Sequence, residues 1–215
     1  MNKNNIIKLI NEVKPIPIVA ATKYINYSLA RDLYSYGITN FGENRVDSFL
    51  EKFNNLTDLN ITWHFIGHLQ KNKVKKIINK IDYLHSLDSL DLAKIINEER
   101  VDVLPTFIEL KLTNNDNKYG IKKEELDDFI KELNKYPKIK IIGFMAMTDL
   151  DMTTEEKRNV FREARKLKEK YNLEKLSMGM TDDYKIAIEE GATNVRLGRI
   201  LFDEEDMTNF KFVIK

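Results

Sequence analysis

The first apolar run of the chain is IVAATK, residues Ile18–Lys23, which Pro15 and Pro17 separate from the preceding segment. Consecutive small and β-branched residues without alternating polar positions predict a strand buried on both faces. Lys23 then stands at the end of this strand, where the sheet holds it and its amine can reach a pocket. A lysine amine in such a place can form a Schiff base with an aldehyde or ketone. The alternative is a solvated charge that closes the strand.

Apolar strands alternate with amphipathic helices along the rest of the chain. The predicted strands are 18–23, 38–41, 62–66, 83–86, 104–110, 140–147, 175–178 and 194–198. The helical patterns are 4–13, 27–36, 42–53, 72–80, 90–99, 123–134, 154–171 and 182–190, so an extra N-terminal helix precedes the first strand. Eight strands in 215 residues leave room for minimal β-α units only, which favours an α/β fold with a single (β/α)₈ TIM barrel spanning 1–215. An open, doubly wound sheet is the alternative.

The charges of the chain nearly cancel. Lysine and arginine number 35 and aspartate and glutamate 34, a net charge of +1, so no global field favours nucleic acid or an anionic membrane as a partner. The sequence contains no cysteine, which excludes disulfides and thiolate nucleophiles and suits a reducing compartment. The N-terminus shows neither a signal peptide nor an apolar membrane span. We therefore expect a cytoplasmic protein, and a monomer.

Two loops carry residues that suit an anionic ligand. The seventh strand leads into Ser177-Met178-Gly179, a hydroxyl and a glycine turn before a helix, where backbone N–H groups can bind phosphate. The eighth leads into Arg196-Leu197-Gly198-Arg199, in which Arg196 and Gly198 share the side predicted to face the barrel interior. Barrel enzymes often bind phosphate in these two loops, at the end where Lys23 emerges. The predicted ligand is a phosphorylated carbonyl compound, either the aldehyde pyridoxal 5′-phosphate (PLP) or the substrate of a Schiff-base aldolase.

Other polar residues follow the second and third strands. His64 and His68 are four residues apart, but Gly67 and the strand pattern disfavour a metal site. Trp63 and Phe65 are predicted to pack in the core or against helices. The basic run at 71–76 is predicted to be a solvated helix face, with a local anion or nucleic-acid contact as the alternative. An asparagine-rich polar loop is predicted at 114–120.

Six motifs along the chain are specific enough to indicate a family. They are IVAATK at 18–23, FGEN at 41–44, WHFIGHLQKNK at 63–73, HSLDS at 85–89, LSMGMTDD at 176–183 and EEGATNVRLG at 189–198. Together they closely resemble the pyridoxal phosphate homeostasis protein family. The motifs run from the first predicted strand to the eighth, so the resemblance covers nearly the whole chain.

The resemblance implies a barrel of the alanine racemase N-terminal domain type that carries PLP as a Schiff base on the lysine matching Lys23. The residues that would hold the phosphate and ring match Ser177, Met178, Gly179, Arg196 and Gly198, with Asn44 beside the cofactor. Members of the family usually have a small hydroxyl residue where this chain has Arg199, and a glycine where it has Asp203. We expect the charge or the backbone N–H of Arg199 to replace the hydroxyl.

PLP by itself does not make an enzyme, because racemases and decarboxylases of this fold class also need a second acid or base. In the racemases that base comes from an additional β-domain, for which a barrel of 215 residues is expected to leave no room. The resemblance implies a non-catalytic protein that buffers PLP, or delivers it to PLP-dependent apo-enzymes, in vitamin B6 homeostasis. The alternatives are a weak racemase or lyase, with Lys23 as base and Tyr119 or Tyr184 as partner, and the aldolase without bound cofactor.

Overall fold

The computed structural model describes residues 1–113, 119–203 and 206. Its strands are β1 (Ile18–Ala21), β2 (Asn40–Glu43), β3 (Thr62–Phe65), β4 (Tyr83–Leu87), β5 (Leu104–Glu109), β6 (Ile139–Met145), β7 (Lys175–Ser177) and β8 (Val195–Leu197). All are parallel, in the order β7-β6-β5-β4-β3-β2-β1-β8. The Leu176 carbonyl accepts from the Thr193 N–H (2.9 Å), and Ser177 pairs with Asn194, so β7 meets β8 and the sheet closes. The predicted barrel is confirmed over the open sheet.

Helices alternate with the strands around the barrel. In the described residues they are α1 (Lys3–Val13), α2 (Tyr27–Ser35), α3 (Val46–Asn55), α4 (Val74–Ile77), α5 (Leu90–Glu99), α6 (Leu126–Leu133), α7 (Thr154–Lys170) and α8 (Tyr184–Glu189). Helix α4 is shorter than the predicted 72–80 and follows a 3₁₀ turn at Lys71–Lys73. The Arg100 guanidinium donates to the carbonyls of Ile78 and Ile81, and these groups therefore need no helical partner.

The second β-α unit begins later than predicted. A strand was expected at 38–41 and a helix at 42–53, but β2 continues to Glu43 and α3 begins at Val46. A buried charge is the reason, because the fully buried Glu43 carboxylate pairs with the Lys52 ammonium of α3 at 2.8 Å. The expectation that Lys23 ends a strand was also wrong. Strand β1 stops at Ala21, and Lys23 lies in a 3₁₀ turn over Thr22–Tyr24.

Successive residues of β3 show which side chains point into the barrel and which point out of it. Trp63 packs on Phe49 and Phe53 of α3, with ring centroids 5.3 and 6.1 Å apart, so it points out of the barrel. Phe65, two residues on, is also buried in the apolar core. Because successive strand residues point to opposite faces, His64 points into the barrel. The predicted packing of Trp63 and Phe65 is confirmed, and the barrel interior contains polar side chains.

The predicted N-terminal helix is present, and Met1, close to its start, contacts the segment that follows β8. Helix α1 buries Ile6, Leu9 and Val13. The N-terminal ammonium group lies 2.5 Å from the carboxylate of Asp203 and 2.6 Å from that of Asp206. Asp203 thus ties the segment after β8 to the start of α1. The asparagine-rich loop predicted at 114–120 falls mainly on residues 114–118, outside the described residues.

Candidate functional site

Four adjacent strands bring the predicted site residues to one end of the barrel, which we call the mouth. Going round it, β7 leads to Ser177 and Gly179, β8 to Gly198, β1 to Lys23 and β2 to Asn44. Contact between neighbouring strands is close, because a Cβ built on Gly198 would lie 3.5 Å from the Ala21 Cβ. The loop after β8 therefore touches the turn that carries Lys23.

A buried ion pair supports the Lys23 turn. The Lys23 side chain is exposed, with its ammonium 4.8 Å from the Tyr24 ring centroid. Its neighbour Thr22 is buried and donates its hydroxyl to the Glu43 carboxylate at 2.5 Å. Glu43 in turn pairs with Lys52, so a charge-assisted network anchors the backbone beside Lys23. The sequence interpretation missed this pair, and the FGEN motif was the signal that could have drawn attention to Glu43.

The Ser177–Gly179 turn depends on glycine. Gly179 has φ +93°, and a Cβ there would lie 2.6 Å from the Ala187 Cβ, so no larger residue fits without strain. Its carbonyl accepts from the Arg196 N–H at 2.8 Å, while its own N–H has no partner within the described residues. The Met178 side chain is fully buried and its N–H donates to the Asn194 carbonyl, so this predicted ligand residue packs beneath the turn.

Arg199 links the loop after β8 to the loop after β7. Its guanidinium donates to the Asp182 carboxylate at 2.5 Å, and both side chains are about half exposed. The next N–H, that of Ile200, donates to the Thr181 hydroxyl at 3.4 Å. The loops after β7 and β8 are thus joined at the mouth, and the positive charge of Arg199 is shared with a carboxylate.

Arg196 lies inside the barrel, on the side predicted for it. Its guanidinium donates to the Ser177 carbonyl at 2.6 Å, to the Ser177 hydroxyl at 2.7 Å and to the Ala146 carbonyl at 3.1 Å. Burial lowers the pKa of Arg196 to about 10, while nearby Asp183 and Glu109 act in the opposite direction. The group therefore remains a cation at neutral pH, directly beneath the Ser177 turn.

Hydrogen bonds continue from Arg196 across the barrel interior. We call this series the interior chain, and its members are Arg196, Ser177, His85, His64 and Asn40. The Ser177 Oγ lies 2.7 Å from His85 Nδ1, His85 Nε2 lies 2.9 Å from His64 Nδ1, and His64 Nε2 lies 3.0 Å from Asn40 Oδ1. Burial lowers the pKa of His64 to about 3 and holds the pKa of His85 well below its ordinary value, so both rings are neutral at pH 7.

The direction of the interior chain follows from its two ends. Arginine only donates, and Asn40 Oδ1 only accepts, so each neutral histidine carries its proton on Nε2 and accepts at Nδ1. Every bond then runs the same way, from Arg196 to Asn40. The sequence interpretation did not predict the interior chain. Inward polar residues at alternating strand positions, such as Thr62 and His64, were the available signal.

Asn44 offers an acceptor at the mouth. Its side-chain Oδ1 is buried without a hydrogen-bond partner among the described residues. Gly67 packs directly on its backbone, where a Cβ would lie 2.4 Å from the Asn44 carbonyl oxygen. The residue is therefore held in place with one polar atom unsatisfied, a state that costs about 1–3 kcal/mol unless a ligand completes it.

The two tyrosines proposed as acid or base partners are engaged elsewhere. Tyr184 is buried, and its hydroxyl donates to the Glu12 carboxylate of α1 at 3.0 Å. The Tyr119 ring stacks on His68 with centroids 3.7 Å apart, and His68 contacts the Asp88 carboxylate at 2.8 Å.

The described residues show neither a cluster of metal-binding side chains nor a membrane-spanning helix. They contain no group of three or more histidine, cysteine, aspartate or glutamate side chains placed to hold a metal ion. His64 and His68 also have different surroundings, since only His64 lies in the barrel interior. Over the same residues, every helix is too short or too polar to cross a lipid bilayer.

Known proteins resemble the chain over most of its length. The family model for the alanine racemase N-terminal domain matches residues 3–205. A pyridoxal phosphate homeostasis protein of Aquifex aeolicus is 38% identical over 196 residues, covering 87% of this chain and 86% of that protein. One from Escherichia coli K12 is 31% identical over 202 residues, covering 89% and 86%.

Solved structures of similar proteins superpose on most of the chain. PipY of Synechococcus elongatus PCC7942, determined with PLP bound, superposes with a TM-score of 0.86 at 30% identity, covering 94% of this chain and 99% of that one. Alanine racemase of Corynebacterium glutamicum superposes with a TM-score of 0.70 at 17% identity, over 93% of this chain and 59% of that one, a likeness of fold alone. The chain therefore belongs to the pyridoxal phosphate homeostasis protein family, whose barrel is of the alanine racemase N-terminal domain type.

Proposed function

We propose that the chain holds PLP at the mouth, as a Schiff base on Lys23, and keeps it available to other proteins without strong catalytic activity of its own. The names of the relatives and the PLP bound to PipY support the choice of ligand. The observation that carries the proposal is the adjacency of β7, β8, β1 and β2, which gathers an amine, two arginines and a glycine turn at one end of the barrel.

The residues of the mouth fit this cofactor. PLP, when bound, supplies an aldehyde and a phosphate dianion. Gly179 offers an N–H without a partner among the described residues, and Arg196 and Arg199 supply positive charge for the anion. The buried Oδ1 of Asn44 accepts one donor of the ligand. We infer that the phosphate binds the turn after β7 and that the ring lies between Asn44 and Lys23.

Lys23 supplies the covalent attachment. Its amine nitrogen adds to the aldehyde carbon, one water molecule leaves, and a C=N bond replaces the C=O bond. Because the bond forms and hydrolyses reversibly, the attached cofactor can be released again. The exposed Lys23 side chain suits such exchange with other proteins.

The positions of the candidate tyrosines support a carrier more than a racemase or lyase. Proton transfer in those reactions needs a second group within about 3 Å of the reacting carbon's proton. The Tyr184 hydroxyl is engaged by Glu12 on the outer helix α1, and the Tyr119 ring is stacked on His68. The contacts described for both tyrosines are thus with residues other than Lys23.

Borohydride trapping tests the attachment. The purified chain is incubated with PLP, reduced, and its intact mass measured alongside Lys23→Arg, which keeps the charge but cannot form the imine. Lys140→Arg changes an exposed lysine of β6 and serves as the matched control. We expect one phosphopyridoxyl group in the wild type and in Lys140→Arg, mapped to Lys23, and none in Lys23→Arg. Equal labelling of Lys23→Arg would refute the attachment site.

Isotope exchange separates a carrier from an enzyme. The PLP-loaded chain is incubated with L-alanine in deuterium oxide, and loss of the α-proton signal is followed by NMR. A carrier leaves the signal unchanged over hours, whereas PLP-dependent exchange that disappears in Lys23→Arg would establish the racemase or lyase alternative. A chain that is labelled only when a sugar phosphate replaces PLP would establish the aldolase alternative.

Delivery is tested with a recipient. The PLP-loaded chain is mixed with a PLP-dependent apo-enzyme in the presence of a scavenger that removes free PLP. Recovery of enzyme activity under these conditions supports direct transfer, and failure restricts the role to buffering. We further propose that this takes place in the cytoplasm, and that the chain acts as a monomer, which sedimentation of the loaded protein checks.

A further inference from the structure

A cavity lies at the opposite end of the barrel from the mouth. It has a volume of about 200 Å³ and is lined by residues near the N-terminal ends of the strands. We call it the floor cavity, and its polar lining consists of Asn40, Thr62, His64, Tyr83, Lys175, Thr193 and Asn194. The proposed PLP site uses none of these residues, so the cavity needs a separate explanation.

The lining of the floor cavity favours a small anion with an apolar body. Lys175 contributes a cation, and the described lining residues include no aspartate or glutamate. The Asn194 Nδ2 is buried and has no acceptor among the described residues. Val19, Phe107 and Ile142 supply apolar wall. At about 30 Å³ per water the space holds roughly six or seven waters, which matches a short monocarboxylate.

The floor cavity and the mouth share the interior chain. Asn40 and His64 line the cavity, whereas Ser177 and Arg196 form the other end of the interior chain, beneath the mouth. A carboxylate that accepts a hydrogen bond from the Asn40 amide polarises that amide, so its Oδ1 becomes a better acceptor for the His64 N–H. Because bonds in a series with one direction strengthen each other, the change reaches His85 and Ser177.

We propose that the floor cavity is a second ligand site, for a short monocarboxylate paired with Lys175, and that its occupancy is transmitted along the interior chain to Ser177 and Arg196. Binding at the floor does not depend on PLP. Its consequence for the cofactor, a change in PLP affinity, rests on the proposed function.

Histidine NMR tests the site directly. The sequence contains three histidines, of which His64 and His85 belong to the interior chain and His68 contacts Asp88 outside it. Butyrate is titrated into the 215-residue chain, with butyramide as the uncharged isostere and sodium chloride as the ionic-strength control. We expect butyrate to shift the ring nitrogens of His64 and His85 saturably, leave those of His68 in place, and bind at least tenfold more tightly than butyramide.

Two methionine variants locate the cation. Lys175→Met is expected to weaken butyrate about fivefold, the effect of losing one partly exposed ion pair. Lys71→Met, an exposed lysine in the turn after β3 at the other end of the barrel, should bind butyrate like the wild type.

Each failure has a distinct meaning. An unmoved His64, equal binding of butyramide, or full affinity in Lys175→Met would overturn the carboxylate site. A shift of His64 without a shift of His85 would overturn the transmission. Since none of these measurements uses PLP, a failure of PLP binding is recognised separately, in the borohydride experiment.

Discussion

Lys52→Met removes the cation of the buried ion pair that supports the Lys23 turn, with little change in side-chain volume. In the native chain the Lys52 side chain is 1% exposed, and its ammonium lies 2.8 Å from both the Glu43 carboxylate and the Ser48 hydroxyl. Glu43 is fully buried, and its second oxygen already lacks a partner among the described residues. The variant would leave this carboxylate buried with the Thr22 hydroxyl as its remaining donor.

The expected loss is large. Removing one partner of a buried pair costs about 3–5 kcal/mol, against a typical total of about 5–15 kcal/mol for a domain. With a urea dependence of about 3 kcal/mol per molar, suitable for a chain of this length, the unfolding midpoint should fall by about 1–1.7 M. Urea unfolding followed by circular dichroism measures this shift.

Two controls isolate the cause. Lys71→Met removes a lysine whose pair with Asp91 is exposed, and it should change stability by no more than about 1 kcal/mol. Adding Glu43→Gln to Lys52→Met removes the stranded charge and should restore about 2 kcal/mol or more of the loss. If Lys52→Met unfolds at the wild-type urea concentration, or if the double variant is no more stable than Lys52→Met alone, the assigned role of the pair is wrong.

Further predictions concern the mouth and the interior chain. Gly179→Ala should lower the free energy of unfolding by about 1–3 kcal/mol, measured by thermal unfolding, and should prevent PLP trapping. The reason is that φ is +93° and the new Cβ would lie 2.6 Å from the Ala187 Cβ. The control Gly198→Ala creates no contact under 3.5 Å and should melt close to the wild type. Arg199→Ala should weaken PLP binding and flatten its dependence on salt in an absorbance titration, since it leaves the Asp182 carboxylate without its arginine near the phosphate. The pKa of His64 in the folded chain, about 3, lies below its ordinary value of 6.5, so the unfolded chain binds a proton that the folded chain does not. The contribution of His64 to the free energy of unfolding should therefore be fully present above pH 6.5 and decline by about 1.4 kcal/mol per pH unit toward pH 3, with an added decline from His85. Urea unfolding at about pH 7 and about pH 5 measures this decline, and a pH-independent midpoint would contradict it.

Much of the barrel could be predicted because its elements are encoded by nearby residues. Helix α5 starts and ends as predicted, since Ser89 caps it and Leu92, Ala93 and Ile96 recur at helical spacing. Strand β3 lies within one residue of its prediction for the same reason, a short β-branched and aromatic run closed by Gly67. The second unit was misplaced because Glu43 reads as a surface residue until its partner is known.

The candidate site was accessible from the sequence through its motifs and through the general rule that barrel sites lie at strand ends. Lys23, Asn44, Gly179 and Gly198 all lie at the mouth that this rule predicts. Met178 illustrates the limit of a motif, because it stands in the predicted phosphate turn while its own side chain is buried in the core.

The sequence by itself thus determined the order of strands and helices, the barrel class and the segments that meet at the mouth. Only the tertiary structure decided the Glu43–Lys52 pair, the interior chain and the floor cavity. The physical reason is separation along the chain: Ser177 and His85 share a hydrogen bond although they are 92 positions apart in the sequence. Such contacts depend on strand register and on closure of β7 against β8, which no local pattern of polarity specifies.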